Sequence, residues 1–211
     1  MKTPELIDFL SKQLGPADVG LANKKAWITT CIGLPSATGL AMVLLGPIPT
    51  TMVFELGLWT KLIYTSLLAC VTAWLFVRVS KPAMPFQQAV LGMGAVIAGA
   101  LLFGCLFYLS NQSDQKLMLI AGHSWLACPW LIAIVSLPGL LGSLWSMRGL
   151  APTRPSLAGF ACGAFAGSLG AMGYSLACTE SSPTFVSLWY TLGILLVGGL
   201  GALLGPRVLR W

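Results

Sequence analysis

Charge is what this sequence has least of. Only 9% of its 211 residues are Asp, Glu, Lys or Arg, against roughly 25% in a soluble domain. There is one histidine, His123, and six acidic residues. No Cys-x-x-Cys pair occurs, which argues against a thiol oxidoreductase of the usual kind. A Ser–His–Asp arrangement, a phosphate loop and paired carboxylates are all missing. No charged residue falls in the middle of an apolar run. Transporters and pumps commonly hold acids or histidines along an intramembrane pathway. A small-molecule transporter or channel subunit, the main alternative, would have only scattered Ser and Thr to build its cavity from. A membrane-embedded redox enzyme with bound quinone or haem would need an axial ligand, and His123 is the single histidine available. The chain therefore reads as neither an enzyme nor a cofactor carrier. Without a basic, aromatic-interleaved patch, it gives no reason to expect direct contact with nucleic acid. A cleavable signal is also not expected, because a mixed-charge segment with Glu5, Asp8 and Asp18 precedes the first apolar run.

What the chain has is apolar length. Hydrophobic residues make up 56% of it. The runs cover roughly 27–45, 58–77, 89–109, 125–147, 157–176 and 185–204, each about the length of a bilayer-crossing helix. The fold expected is an all-α membrane protein, a bundle of six transmembrane helices over 26–211, preceded by a polar segment over 1–25. An even number of spans puts both termini on one side. That side holds Lys2, Lys12, Lys24, Lys25, Arg78, Lys81, Arg148, Arg154, Arg207 and Arg210, while the other holds Lys61 and Lys116. By the positive-inside rule both termini are cytoplasmic. Lys61, in the first turn of the second span, is expected to snorkel outward. Glu55, Asp114, His123, Cys178 and Glu180 fall on the outer face. In the fifth span Gly159, Gly163, Gly167 and Ala171 recur every four residues, a smooth stripe that lets a neighbouring helix approach closely. Pro138-Gly139 in the fourth span would leave a carbonyl unpaired and bend the helix.

The polar start contains one short helix signal. Thr3 suits the cap, Pro4 the first helical position and Glu5 the positive end of the dipole, and Gly15-Pro16 ends it. Leu6, Phe9, Leu10 and Leu14 share a face, with Ile7 at its margin. Two readings stand side by side. The helix lies on the membrane or on the protein's own loops, or it orders on docking into a partner's groove.

Of six cysteines, Cys31, Cys70, Cys105 and Cys162 fall inside spans and read as small apolar residues. Cys128, in the first turn of the fourth span, and Cys178, just after the fifth, are expected at similar depth on the outer face. The short basic loop 148–156 makes their spans neighbours. Three readings compete: a structural disulfide, a reversible pair of exposed thiols sensing oxidants, or a metal site in which His123 and Glu180 supply nitrogen and oxygen ligands. Two cysteines alone are a weak metal signal, and His123 equally suits a loop near the headgroups.

Several C-terminal stretches carry a likeness. They are Ala151-Pro152-Thr153-Arg154-Pro155, then Cys178-x-Glu180-Ser181-x-Pro183-x-Phe185 leading to Trp189-Tyr190-x-Leu192-Gly193, and the ending from Gly201-Ala202 through Gly205-Pro206-Arg207 to Leu209-Arg210-Trp211. Together with Met1-Lys2-Thr3, Leu6-Ile7-Asp8 and Leu10 at the start, the chain resembles the NrsF-type membrane anti-sigma factors. The resemblance implies a bacterial inner-membrane protein whose cytoplasmic N-terminal segment keeps an extracytoplasmic-function sigma factor inactive. It also implies a periplasm-facing cysteine pair, matched here by Cys128 and Cys178, that answers oxidants or heavy metals. The partners so implied are that sigma factor and the lipid bilayer. One departure is at Ala177, where the family often has His, and this weakens the metal reading. The turn Gly15-Pro16-Ala17-Asp18-Val19 departs from the family's tighter spacing.

Overall fold

The computed structural model describes residues 20–49, 51–52, 56–81, 84–111, 116–150 and 152–210. The N-terminal helix expected around Leu6, Ile7, Phe9, Leu10 and Leu14 lies outside the described residues, as do Glu55 and Asp114. Among the described residues seven helices follow one another: α1 Leu21–Leu45, α2 Leu56–Val79, α3 Gln87–Ser110, the short α4 Lys116–Ala121, α5 Ala127–Arg148, α6 Pro155–Ser175 and α7 Pro183–Val208. All but α4 are long and apolar enough to cross a membrane. No strand occurs among the described residues. Proline sits in the first turn of both α6 and α7, where its missing N–H costs no hydrogen bond. α5 continues through Pro138.

α6 is the axle of the bundle. It packs against α1, α2, α5 and α7, whereas α3 touches mainly α2 and the first turns of α7. Nearly every α6 residue from Ala158 onward is buried. The small side chains there leave the backbones in contact. A Cβ on Gly159 would strike the Gly201 carbonyl, one on Gly163 the Val197 carbonyl, and one on Gly205 the Pro155 carbonyl. The expected stripe is therefore the α6–α7 seam. On another side Gly173 lies against the backbone of Ala37 and Thr38 in α1.

The outward surface is apolar. Val43, Leu91, Trp145 and Leu203 are among its exposed side chains, spread round all sides as a lipid-facing belt requires. Cys31, Cys70 and Cys105 also lie on this surface, so three of the four span cysteines are exposed, and only Cys162 is buried. The polar ends are stitched differently. At one end Lys25 Nζ donates to the Ser146 carbonyl at 2.9 Å, joining α1 to α5. At the other, the Ile48 N–H donates to the Leu176 carbonyl at 3.3 Å, and Thr184 Oγ1 donates to the Gly104 carbonyl at 2.8 Å. The first turns of α7 contain a π-helical stretch, Val186–Tyr190. Beside it Tyr64 of α2 and Thr191 share a hydroxyl hydrogen bond of 2.5 Å.

Candidate functional site

α5 and α6 form an antiparallel hairpin closed by a short loop, and their lengths of 22 and 21 residues match. The first turn of α5 thus stands level with the last turn of α6. The Cys128 N–H donates to the Ser124 carbonyl at 2.8 Å and the Cys178 N–H to the Tyr174 carbonyl at 3.0 Å, so both cysteines sit in helical turns at the hairpin's open end. They share one buried cluster with Leu68, Ile132, Phe185, Val186 and three tyrosines, Tyr64, Tyr174 and Tyr190. Both are free thiols.

The expectation of exposed thiols is not met: Cys128 is 0% exposed and Cys178 is 5% exposed. Their cover is built from the segment after α6. Glu180 Oε1 accepts the His123 backbone N–H at 2.6 Å. Ser182 Oγ donates to the Leu119 carbonyl at 2.9 Å, and Trp189 Nε1 donates to the Ile120 carbonyl at 2.8 Å. The Trp125 and Trp189 rings meet with centroids 5.4 Å apart. These contacts fasten the loop that follows Cys178 to α4 and the turn behind it. Glu180 and His123 thus meet through a carboxylate and a backbone N–H in the cover, with the thiols in the cluster beneath. Among the described residues no three His, Cys, Asp or Glu side chains are grouped as metal ligands.

Three residues complete the site that sequence reasoning missed. Lys61 does not snorkel outward. It is 2% exposed, and its Nζ donates to the Cys178 carbonyl at 2.8 Å. A cation this near a helix's terminal carbonyls meets the negative end of its dipole, which outweighs the pull of the membrane surface. Tyr174 packs in the cluster that holds both thiols, and its ring lies 5.7 Å from that of Tyr190. The Tyr190 hydroxyl is buried in the same cluster and has no hydrogen-bond partner among the described residues. A signal for Tyr174 was present: it precedes Cys178 by four residues, which on a helix stacks the two on one face. Lys61 was the lone cation inside the early turns of a span on its side. The arrangement holds two free thiols in one buried cluster, under a cover tied by hydrogen bonds.

The chain matches the family described as "NrsF: Negative regulator of sigma F" over residues 10–211. The chain belongs to the NrsF family. Its similarity to individual relatives is spread over the full length. It is 35% identical over 224 residues to the "Anti-sigma-F factor NrsF" of Caulobacter vibrioides (strain NA1000 / CB15N), covering 100% of both chains. It is 33% identical over 218 residues to the "Probable anti-sigma-F factor NrsF" of Azospira oryzae (strain ATCC BAA-33 / DSM 13638 / PS), again covering 100% of both. No solved structure matches the chain. NrsF is by description a family of negative regulators rather than of catalysts. The match to it takes in the cysteine end, the arginine end and part of the N-terminal segment.

Proposed function

We propose that this chain holds an extracytoplasmic-function sigma factor at the cytoplasmic face of a bacterial inner membrane and releases it when the cysteine pair is modified from the periplasm. The carrying observation is the full-length similarity to proteins named as anti-sigma factors, in a chain whose two end-facing cysteines lie in one buried cluster. The placement of ten of the twelve basic residues on the side of the termini supports the orientation. The apolar face of Leu6, Ile7, Phe9, Leu10 and Leu14 would supply the groove-binding helix.

A route between the two ends supports the reading. α1 starts at Leu21 and so takes in the last residues of the N-terminal segment. It packs along α5 and α6, and the chain beyond it reaches the cysteine end where Ile48 donates to the Leu176 carbonyl. Oxidation by hydrogen peroxide joins the two thiols as a disulfide. Two protons and two electrons leave them, and the peroxide becomes two waters. A soft ion bound by both sulfurs would draw them together likewise. Either change strains Cys178, whose carbonyl Lys61 holds, and so strains the end of α6 to which α1 is joined. Taking a partner from 99% held to 99% free needs about 5.5 kcal/mol of difference between the two bundle states. The test is co-purification from native cells in mild detergent. Recovery of a sigma factor with the intact chain supports the proposal, and a preparation free of any sigma factor contradicts it.

A further inference from the structure

The arginine end contains a cleft that the sigma-factor reading does not use. We infer that this cleft, between the end of α2 and the start of α6, binds the phosphate of an anionic phospholipid. Its cavity of about 210 Å³ is lined by Arg78, Lys81, Thr153 and Arg154, with Phe86 and Leu157 as apolar walls. Three cations thus converge from two helix ends that are far apart in sequence. Arg78 and Lys81 are half-buried, and no acidic side chain pairs with them among the described residues. Glu180, the described acid, is tied to His123 at the opposite end. Cations drawn part-way out of water leave part of their desolvation unreturned until a counter-charge joins them, and an anion in the cleft would supply it.

The guanidinium groups are held by their faces. Arg78 lies over the Trp74 ring at 5.3 Å, with a hydrogen bond of 3.5 Å to the Pro85 carbonyl. Arg154 lies over the Phe86 ring at 5.2 Å. Stacking fixes the plane and leaves N–H edges free for a phosphate, which a guanidinium grips bidentately. α6 starts here with no side-chain cap, so the positive end of its dipole adds to the field. Thr153 supplies a hydroxyl. The apolar walls, with exposed Trp74 and Met84 nearby, suit a phosphate attached to an acyl chain at headgroup depth better than an acidic protein side chain. Tryptophan at that level is the usual mark of the membrane interface, and basic pockets at helix ends are where anionic headgroups settle.

The experiment uses the full chain in mild detergent, supplied with equal amounts of phosphatidylglycerol and phosphatidylcholine, with native mass spectrometry counting the retained lipids. Wild type should retain phosphatidylglycerol in preference. Arg154→Gln, an exposed position where folding is not at stake, should lower that retention about fivefold, the effect of one cation near a lipid surface. R78Q/K81Q/R154Q should abolish the preference. Arg148→Gln, at the same end but outside the cleft, should leave it intact. Equal retention of the two lipids, or equal behaviour of the Arg154 and Arg148 variants, overturns the inference. Displacement of phosphatidylglycerol by millimolar inorganic phosphate would assign the cleft to a free anion. A gain in retention on neutralising Glu5, Asp8 and Asp18 would assign it to the chain's own acids. Either result overturns the lipid assignment.

Discussion

The seam between α6 and α7 can be tested with one methyl group. In Gly163→Ala the new Cβ would strike the Val197 carbonyl and stand 2.9 Å from the Gly198 Cα. Both obstacles are backbone, so no side chain can swing aside and the helices must separate. Overpacking of this kind costs up to about 3 kcal/mol. Replacing Gly by Ala inside a helix returns about 1 kcal/mol of propensity, leaving a net loss of about 2 kcal/mol. Gly199, eight residues before Arg207 on α7, meets nothing within 4 Å. There the same change keeps only the propensity gain, about 1 kcal/mol in favour. The two variants should therefore differ by about 3 kcal/mol in opposite directions from wild type. Reversible unfolding in mixed SDS micelles, followed by circular dichroism, measures both. If Gly163→Ala is as stable as Gly199→Ala, the helices are not in backbone contact and the bundle's axle has been misassigned.

Other expectations follow from separate parts of the chain. Reporter fusions at Trp211 and within residues 111–116 should report opposite sides of the membrane, with Trp211 cytoplasmic. Matching signals would remove the orientation. Leu6→Ala with Leu10→Ala should leave membrane insertion unchanged and weaken capture of the sigma factor in the co-purification above. Full capture by that double variant would put recognition elsewhere. Tyr190→Phe removes a buried hydroxyl without a hydrogen-bond partner, so it should stabilise the protein by about 1 kcal/mol. A fall in thermal stability would mean that the hydroxyl has a partner worth keeping.

The six spans were legible because each carries a long uncharged run, and hydropathy reports the bilayer directly. It does not report where a helix stops. α1 begins at Leu21 rather than near Trp27, since Asn23, Lys24 and Lys25 continue the helix in water as readily as they would leave it. The Gly159–Gly163–Gly167 stripe announced a close neighbour, and α7 is that neighbour, with Gly201 and Gly205 answering from its side. The short α4 escaped, because six residues carry too little periodicity. The π stretch at Val186–Tyr190 escaped too, since its residues read as ordinary apolar helix. At the cysteine end the hairpin argument brought Cys128 and Cys178 to one level. Their burial was not legible, because the cover arises from tertiary hydrogen bonds, Glu180 to His123, Ser182 to Leu119 and Trp189 to Ile120, none of which leaves a local pattern. Lys61 misled for a related reason: its partner is a backbone carbonyl 117 positions away.

The proposed function is tested most directly by following where the sigma factor resides as the cysteines are challenged. Membranes from cells carrying wild type, Cys128→Ser, Cys178→Ser or the double variant would be compared before and after peroxide or cadmium, with the sigma factor quantified in the membrane and soluble fractions. The thiols are free and buried together, and the proposed mechanism takes the reduced pair as the holding state. Serine preserves that state and removes the chemistry that ends it. Wild type should lose the sigma factor from the membrane on challenge. All three variants should keep it, the double no more firmly than the singles, because a pair acts as one unit. Release from the double variant to the same extent as from wild type would contradict the account.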